Sequence, residues 1–234
     1  MFFKKTVLIV LITLLTCVSA LWAGDTAVFV DLGFSPDGRT YTFGQYGVQS
    51  PSLRPWADLY VVDVTRNAFV QNGRVTITEN TPIRLGQDGS GVLHRLVSNN
   101  SSLTSRHNIN FQNQGQPLYI SRNTTPPENG ETIDFRDFEN GKSYVAQLVP
   151  TITGNGQNVS SRFYINLEAR PLNGGQSRSY TVGTPGFARQ GIASYNIKRV
   201  LIDSGGNSLI FVIEMKRVAS NGYDIRYMVE ALRL

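Results

Sequence analysis

Apolar and polar residues alternate one by one along several stretches of this chain, and Asn-Gly or Asp-Gly pairs punctuate them. That period of two constrains the fold most, because successive side chains on a strand point to opposite faces. In Arg162-Phe163-Tyr164-Ile165-Asn166-Leu167-Glu168 the apolar Phe163, Ile165 and Leu167 share one face. Ile225, Tyr227, Val229 and Ala231 do the same in the run from Asp224 to Ala231. Both runs read as half-buried antiparallel strands. Leu209-Ile210-Phe211-Val212-Ile213 is apolar on both faces and reads as a central strand. The separators are Ser35-Pro36-Asp37-Gly38, Asn72-Gly73, Asn140-Gly141, Asn173-Gly174-Gly175, Gly205-Gly206-Asn207 and Asn221-Gly222. Such residues tolerate the positive φ of tight hairpin turns. The fold expected is mainly β: antiparallel meanders, arranged as propeller-like blades or as a sandwich.

One segment departs from period two. Val92, Leu93, Leu96 and Val97 fall at helical spacing, which predicts one helix near residues 90–105 with Asp88 or Ser90 as its N-cap. Polar stretches at Gln112–Gln116 and Thr124-Thr125-Pro126-Pro127 read as loops.

Three units share a strand, tight turn and strand. The first runs from Phe34-Ser35-Pro36-Asp37-Gly38-Arg39 through a loop to Asp58-Leu59-Tyr60-Val61-Val62-Asp63. The last repeats the turn at Asp203-Ser204-Gly205-Gly206-Asn207 before Tyr223 to Val229, and a looser copy holds Asn140-Gly141 and Arg162 to Ile165. The units near residues 32–64 and 200–232 are expected to be neighbours, with the closing strand Ile225–Leu232 integral to the core. Closure of that kind removes exposed sheet edges.

Lys4 and Lys5 precede an apolar run from Val7 to Leu15 and the small residues Thr16-Cys17-Val18-Ser19-Ala20. A basic head, a short apolar stretch and a small-residue exit form a secretory signal, and the run falls short of the roughly 20 apolar residues that span a bilayer. Residues 1–23 are read as the signal and 24–234 as one secreted β-rich domain, with cleavage after Ala20 or Ala23. Leu14-Leu15-Thr16-Cys17 alternatively offers a lipid anchor at Cys17. Export permits disulfides, yet Cys17 is the only cysteine. Losing Lys4 and Lys5 takes the 22 basic residues to 20 against 17 acidic, a side-chain balance of +3. The basic residues are scattered, without the stripe that nucleic-acid binding needs.

The turn Ser35-Pro36-Asp37-Gly38 with Asp58-Leu59-Tyr60-Val61 resembles one blade of the repeats in TolB-like periplasmic propellers. The whole mature chain more closely resembles a bacterial family of predicted secreted proteins, domain of unknown function 2259. That resemblance rests on Gly33 to Arg39, Tyr46-Gly47-Val48-Gln49, Tyr60-Val61-Val62-Asp63, Val212-Ile213-Glu214-Met215 and Arg226-Tyr227-Met228. It implies secretion and assigns no activity.

Local catalytic signatures are scarce. His94 and His107 are the only histidines, and neither a His-Glu-x-x-His pair nor a Gly-x-Ser-x-Gly elbow occurs. Gly86-Gln87-Asp88-Gly89-Ser90-Gly91 opens the expected helix without a Walker lysine, so it reads as a capped turn. Asp31, Asp37, Asp58 and Asp63 lack calcium-loop spacing. No metal or cofactor is expected. Glu214 and Arg226 interrupt apolar strands; if those strands pair, the two face each other as an ion pair, either on a solvent face or in a ligand groove near Tyr46 or Tyr60. The leading reading is a non-enzymatic binding or scaffolding module of the periplasm or envelope, with an envelope protein or a small ligand as partner. Two others stay open. One is a hydrolase assembled from separated strands around His94, the other a small-ligand or glycan binder using exposed Tyr and Trp56.

Overall fold

The computed structural model describes residues 24–122, 130–220 and 222–234. The signal with its cleavage sites and Cys17, the loop Thr124–Pro127 and Asn221 lie outside the described residues. The remainder is mainly β, in antiparallel sheets of which none closes into a barrel.

The first sheet is a plain meander: β1 (Val28–Phe34), β2 (Thr40–Gln49), β3 (Arg54–Asp63) and β4 (Ala68–Thr78), paired in that order. Two helices follow, α1 (Ser90–Asn99) and α2 (Ser101–Arg106), and then β5 (Gln116–Ile120). The second sheet holds β6 (Glu131–Asp137), β7 (Lys142–Thr153), β8 (Ser160–Pro171), β9 (Arg178–Val182) and β10 (Arg189–Gln190), with β9 and β10 both on β8. The third is β11 (Ile192–Ile202), β12 (Ser208–Ala219) and β13 (Gly222–Arg233), in the order β13-β12-β11-β5. The three meanders correspond to the three recurrent units.

The run 209–213, apolar on both faces, decides how the sheets stack. Leu209, Phe211 and Ile213 pack with Phe163, Ile165 and Leu167 of the second sheet. Ile210 and Val212 point the other way, onto Tyr41, Phe43 and Val62 of the first sheet. The third sheet is therefore the middle layer, buried on both sides. The outer face of the first sheet is covered by α1, whose Val92, Leu93 and Leu96 pack on Ala57 and Leu59.

The first and last units are neighbours, as expected. Ser208 Oγ donates to the Gly38 carbonyl at 2.8 Å, and Arg233 Nη1 donates to the Asp37 carbonyl at 3.1 Å. Gly38 has φ +66°, and a Cβ there would lie 2.3 Å from Asp203 Oδ2, so the turn-to-turn contact requires glycine. In the closing strand Val229 and Ala231 are buried, whereas Ile225 and Tyr227 are half-buried.

The outer edge of β13 is plugged. Thr26 bridges Ile225 in parallel, Ile225 N donates to Asp25 O at 2.8 Å, and Ala27 N donates to Ile225 O at 3.1 Å. Further along, side chains of the first sheet take over. Tyr227 N donates to Gln45 Oε1 at 2.8 Å and Ala231 N to Asn67 Oδ1 at 2.7 Å. An edge whose donors are satisfied cannot recruit a foreign strand there.

Three expectations need correction. The single helix is two, broken at Asn100, whose side-chain Nδ2 donates to the Leu96 carbonyl at 2.8 Å and competes with the helical ladder. Neither Asp88 nor Ser90 is the N-cap. That position is Gly89, and Asp88 Oδ1 instead accepts from Ser90 N and Oγ. Asn72-Gly73 is no hairpin turn either. The chain reverses before it, between Asp63 and Ala68, and Asn72-Gly73 lies inside β4 as a bulge.

Candidate functional site

A cleft of about 490 Å³ opens where the first sheet, the β10 segment and the third sheet meet. Its floor belongs to the first sheet. Cross-strand pairs Phe43–Tyr60, Gln45–Asp58 and Tyr60–Arg74 put these side chains on the face turned toward the middle layer.

The bulge shapes the rim. Val62 pairs with Phe69 but Tyr60 pairs with Arg74, so residues 70–73 are looped out and Phe69 and Arg74 become neighbours around Tyr60. Gly73 permits this, since a Cβ there would sit 2.5 Å from the Val61 carbonyl. The result is a ladder of rings, Phe43 to Tyr60 at 4.7 Å and Tyr60 to Phe69 at 5.4 Å, both stacked. Phe69 ends the ladder 51 % exposed.

Polar groups beneath the rings are fixed. Asp58 Oδ2 accepts from Gln45 Nε2 and from the Tyr60 hydroxyl, each at 3.0 Å. Burial and the adjacent Asp58 push the Tyr60 phenol up to about 12, so it is a neutral donor at any physiological pH. Gln45 is oriented by its second bond, from Tyr227 N to Oε1.

Four arginines line the walls. Arg226 stacks 4.2 Å over the Trp56 ring and donates to Asp25 Oδ2 at 2.7 Å, while Trp56 Nε1 donates to the same oxygen at 2.6 Å. Burial nonetheless raises the Asp25 carboxyl above its ordinary value, against the pull of Arg226. Arg189 lies between the Phe163 and Phe187 rings at 4.8 and 4.9 Å and pairs with Glu230 at 3.2 Å. Glu230 Oε2 also accepts from Asn67 Nδ2, so one carboxylate ties all three sheets together. Arg217 pairs with Asp224 at 2.7 Å. Arg74 is exposed and has no ion pair among the described residues.

Of the residues singled out in the sequence, Tyr60 and Arg226 meet in this cleft. Tyr46 does not. It pairs with Ala57 on the opposite face of the first sheet and packs against the α1 cluster. Glu214 and Arg226 form no ion pair, because the register sets Glu214 opposite Tyr227 and Met215 opposite Arg226, on opposite faces. Glu214 Oε2 instead accepts from the Tyr227 hydroxyl at 3.2 Å and lies 3.8 Å from Lys198 Nζ. His94 stands exposed on α1, and His107 borders a separate surface hollow with Asp37 and Arg106. The glycine-rich loop at 86–91 also lies away from the cleft.

Sequence reasoning missed Gln45, Asp58, Phe69, Arg74, Phe187, Arg189 and Arg217 as members of one site. The bulge residues Asn72-Gly73 were in view, but they read as a hairpin turn.

Among the described residues no group of three His, Cys, Asp or Glu side chains is placed to hold a metal ion. Nor is any helix among them long and apolar enough to cross a membrane. No curated protein and no solved structure matches the chain. Residues 42–233 match the family described as predicted secreted protein, DUF2259, and so cover β3 to β13 together with most of β2. The chain belongs to that family of predicted secreted proteins.

Proposed function

We propose that the protein is an exported binding module of the periplasm or cell envelope that holds a small ligand in the cleft between its three sheets. What carries this reading is the lining. A ladder of stacked rings ends in exposed Phe69, and guanidinium groups stand opposite. Ligand sites are commonly concave, largely apolar and fitted with a few fixed polar groups, and about 300–1,000 Å³ suits a small molecule. The hydrolase reading asks for His94 beside an acid and a nucleophile, and His94 stands on α1 outside the cleft.

The test is ligand-observed nuclear magnetic resonance with a fragment library on the exported protein and on a Phe69→Ala/Phe187→Ala variant. Both rings are more than half exposed, so the variant is expected to stay folded. Binders lost in the variant support the cleft. A library without binders, or with binders indifferent to the variant, overturns it.

Export itself is proposed to proceed through residues 1–23. In support, Asp25 is already part of the fold, its N–H donating to Asp224 Oδ1 at 3.1 Å. N-terminal sequencing should find a chain beginning at Leu21 or Gly24, and a lipid-blocked Cys17 would replace the soluble form with an anchored one.

A further inference from the structure

Resting on the cleft being a ligand site, we infer that its ligand is a ring bearing a carboxylate. Four arginines line the cleft against a single carboxylate, Asp58. Asp58 is 9 % exposed and already accepts from Gln45 and Tyr60. Three of the four already have acids outside the lining: Glu230 for Arg189, Asp25 for Arg226 and Asp224 for Arg217. What the cleft leaves without an acid, among the described residues, is the Arg74 guanidinium.

Arg74 decides the charge of the missing partner. It is exposed beside Tyr60 and has no acid of its own among the described residues. A guanidinium presents a planar fork of donors that matches a carboxylate bidentately, and partial burial in a cleft strengthens the pair relative to bulk water. Cations are repelled by the same groups, and a neutral ligand leaves Arg74 unanswered.

The rings decide the body. Phe69 is held in a stack on Tyr60, and Phe187, 56 % exposed, is held under Arg189. Both offer fixed flat faces at the same cleft, which suits another ring better than an extended chain. An aromatic acid and a uronic acid share this chemistry, one stacking through its π face and the other through its C–H face.

Calorimetric titration of the exported protein with 2-naphthoate, 2-naphthamide and galacturonate separates the possibilities. The acid should bind at least tenfold more tightly than its amide at low salt, and added salt should erode the difference. Arg74→Gln should bring the acid down to the amide without moving the amide, while Phe69→Ala/Phe187→Ala weakens both. Galacturonate binding with the same Arg74 dependence assigns the uronic source, and naphthoate binding alone assigns the aromatic one. Acid and amide bound equally, with Arg74→Gln silent, overturn the carboxylate and leave the binding cleft standing. Failure of every probe, in a protein that also binds nothing from the fragment library, overturns both.

Discussion

Two carboxylates show how hydrogen bonding and burial set opposite pH signs within one fold. Asp37 accepts from Ser35 Oγ at 2.6 Å and from Arg39 N at 3.1 Å, and these bonds hold it below its ordinary 3.8. A depressed carboxyl contributes stability that is present above its unfolded pKa and is lost as pH falls through the folded one. Asp37→Asn should therefore lower the melting temperature at pH 7 and converge with wild type as pH falls below the folded value. Glu230 is the reverse. Burial outweighs Asn67 and Arg189 and raises it above 4.5. Its contribution is full below the unfolded value and declines as pH rises through the folded one, so the deficit of Glu230→Gln should be larger at pH 4 than at pH 7. Thermal melts across that range check both, and a deficit that grows with pH at position 230 contradicts the assignment. Neither behaviour was legible in the sequence, since Glu230 looks like any polar residue in an alternating strand until Asn67 and Arg189 arrive from other sheets.

At the scale of elements, period-two alternation located the strands but not their register. A difference of one position in the β12–β13 pairing separates the expected Glu214–Arg226 pair from the observed Glu214–Tyr227 and Met215–Arg226 pairs, and moves the two charges to opposite faces. The helix was recognisable from Val92, Leu93 and Leu96, while its break depended on what the Asn100 side chain bonds. The edge of β13 carries a sharp prediction. Asn67, at φ +49°, satisfies Ala231 N and holds Glu230 at once. Asn67→Ala leaves a buried donor unpaired, which costs about 1–3 kcal/mol. Asn67→Gly relieves the backbone but not the bonds, so in urea titrations it should recover only part of the loss. Full recovery by glycine would assign the effect to backbone strain alone.

Across the whole molecule, the run 209–213 read as a central strand apolar on both faces, and the structure sets sheets on both of its faces. The cleft was hidden because it is assembled from segments far apart in sequence, with Tyr60 more than 100 residues before Arg189 and Arg226. Deleting β13 should be severe. It removes buried Val229 and Ala231 and uncovers the first sheet, and each large buried apolar side chain contributes roughly 1.5–3 kcal/mol. Truncation after Asn221 should abolish cooperative melting, and a truncated protein melting like the full chain contradicts the middle-layer assignment. The layer order also sets a schedule. β12 and β13, the strands that cover both older sheets, leave the ribosome after them. A chain cut short between β11 and β12 keeps the inner faces of both older sheets and loses the strand that covers them in common. Copies halted before that point thus advertise themselves to proteases, and survival of the polypeptide becomes a certificate that its synthesis passed β13.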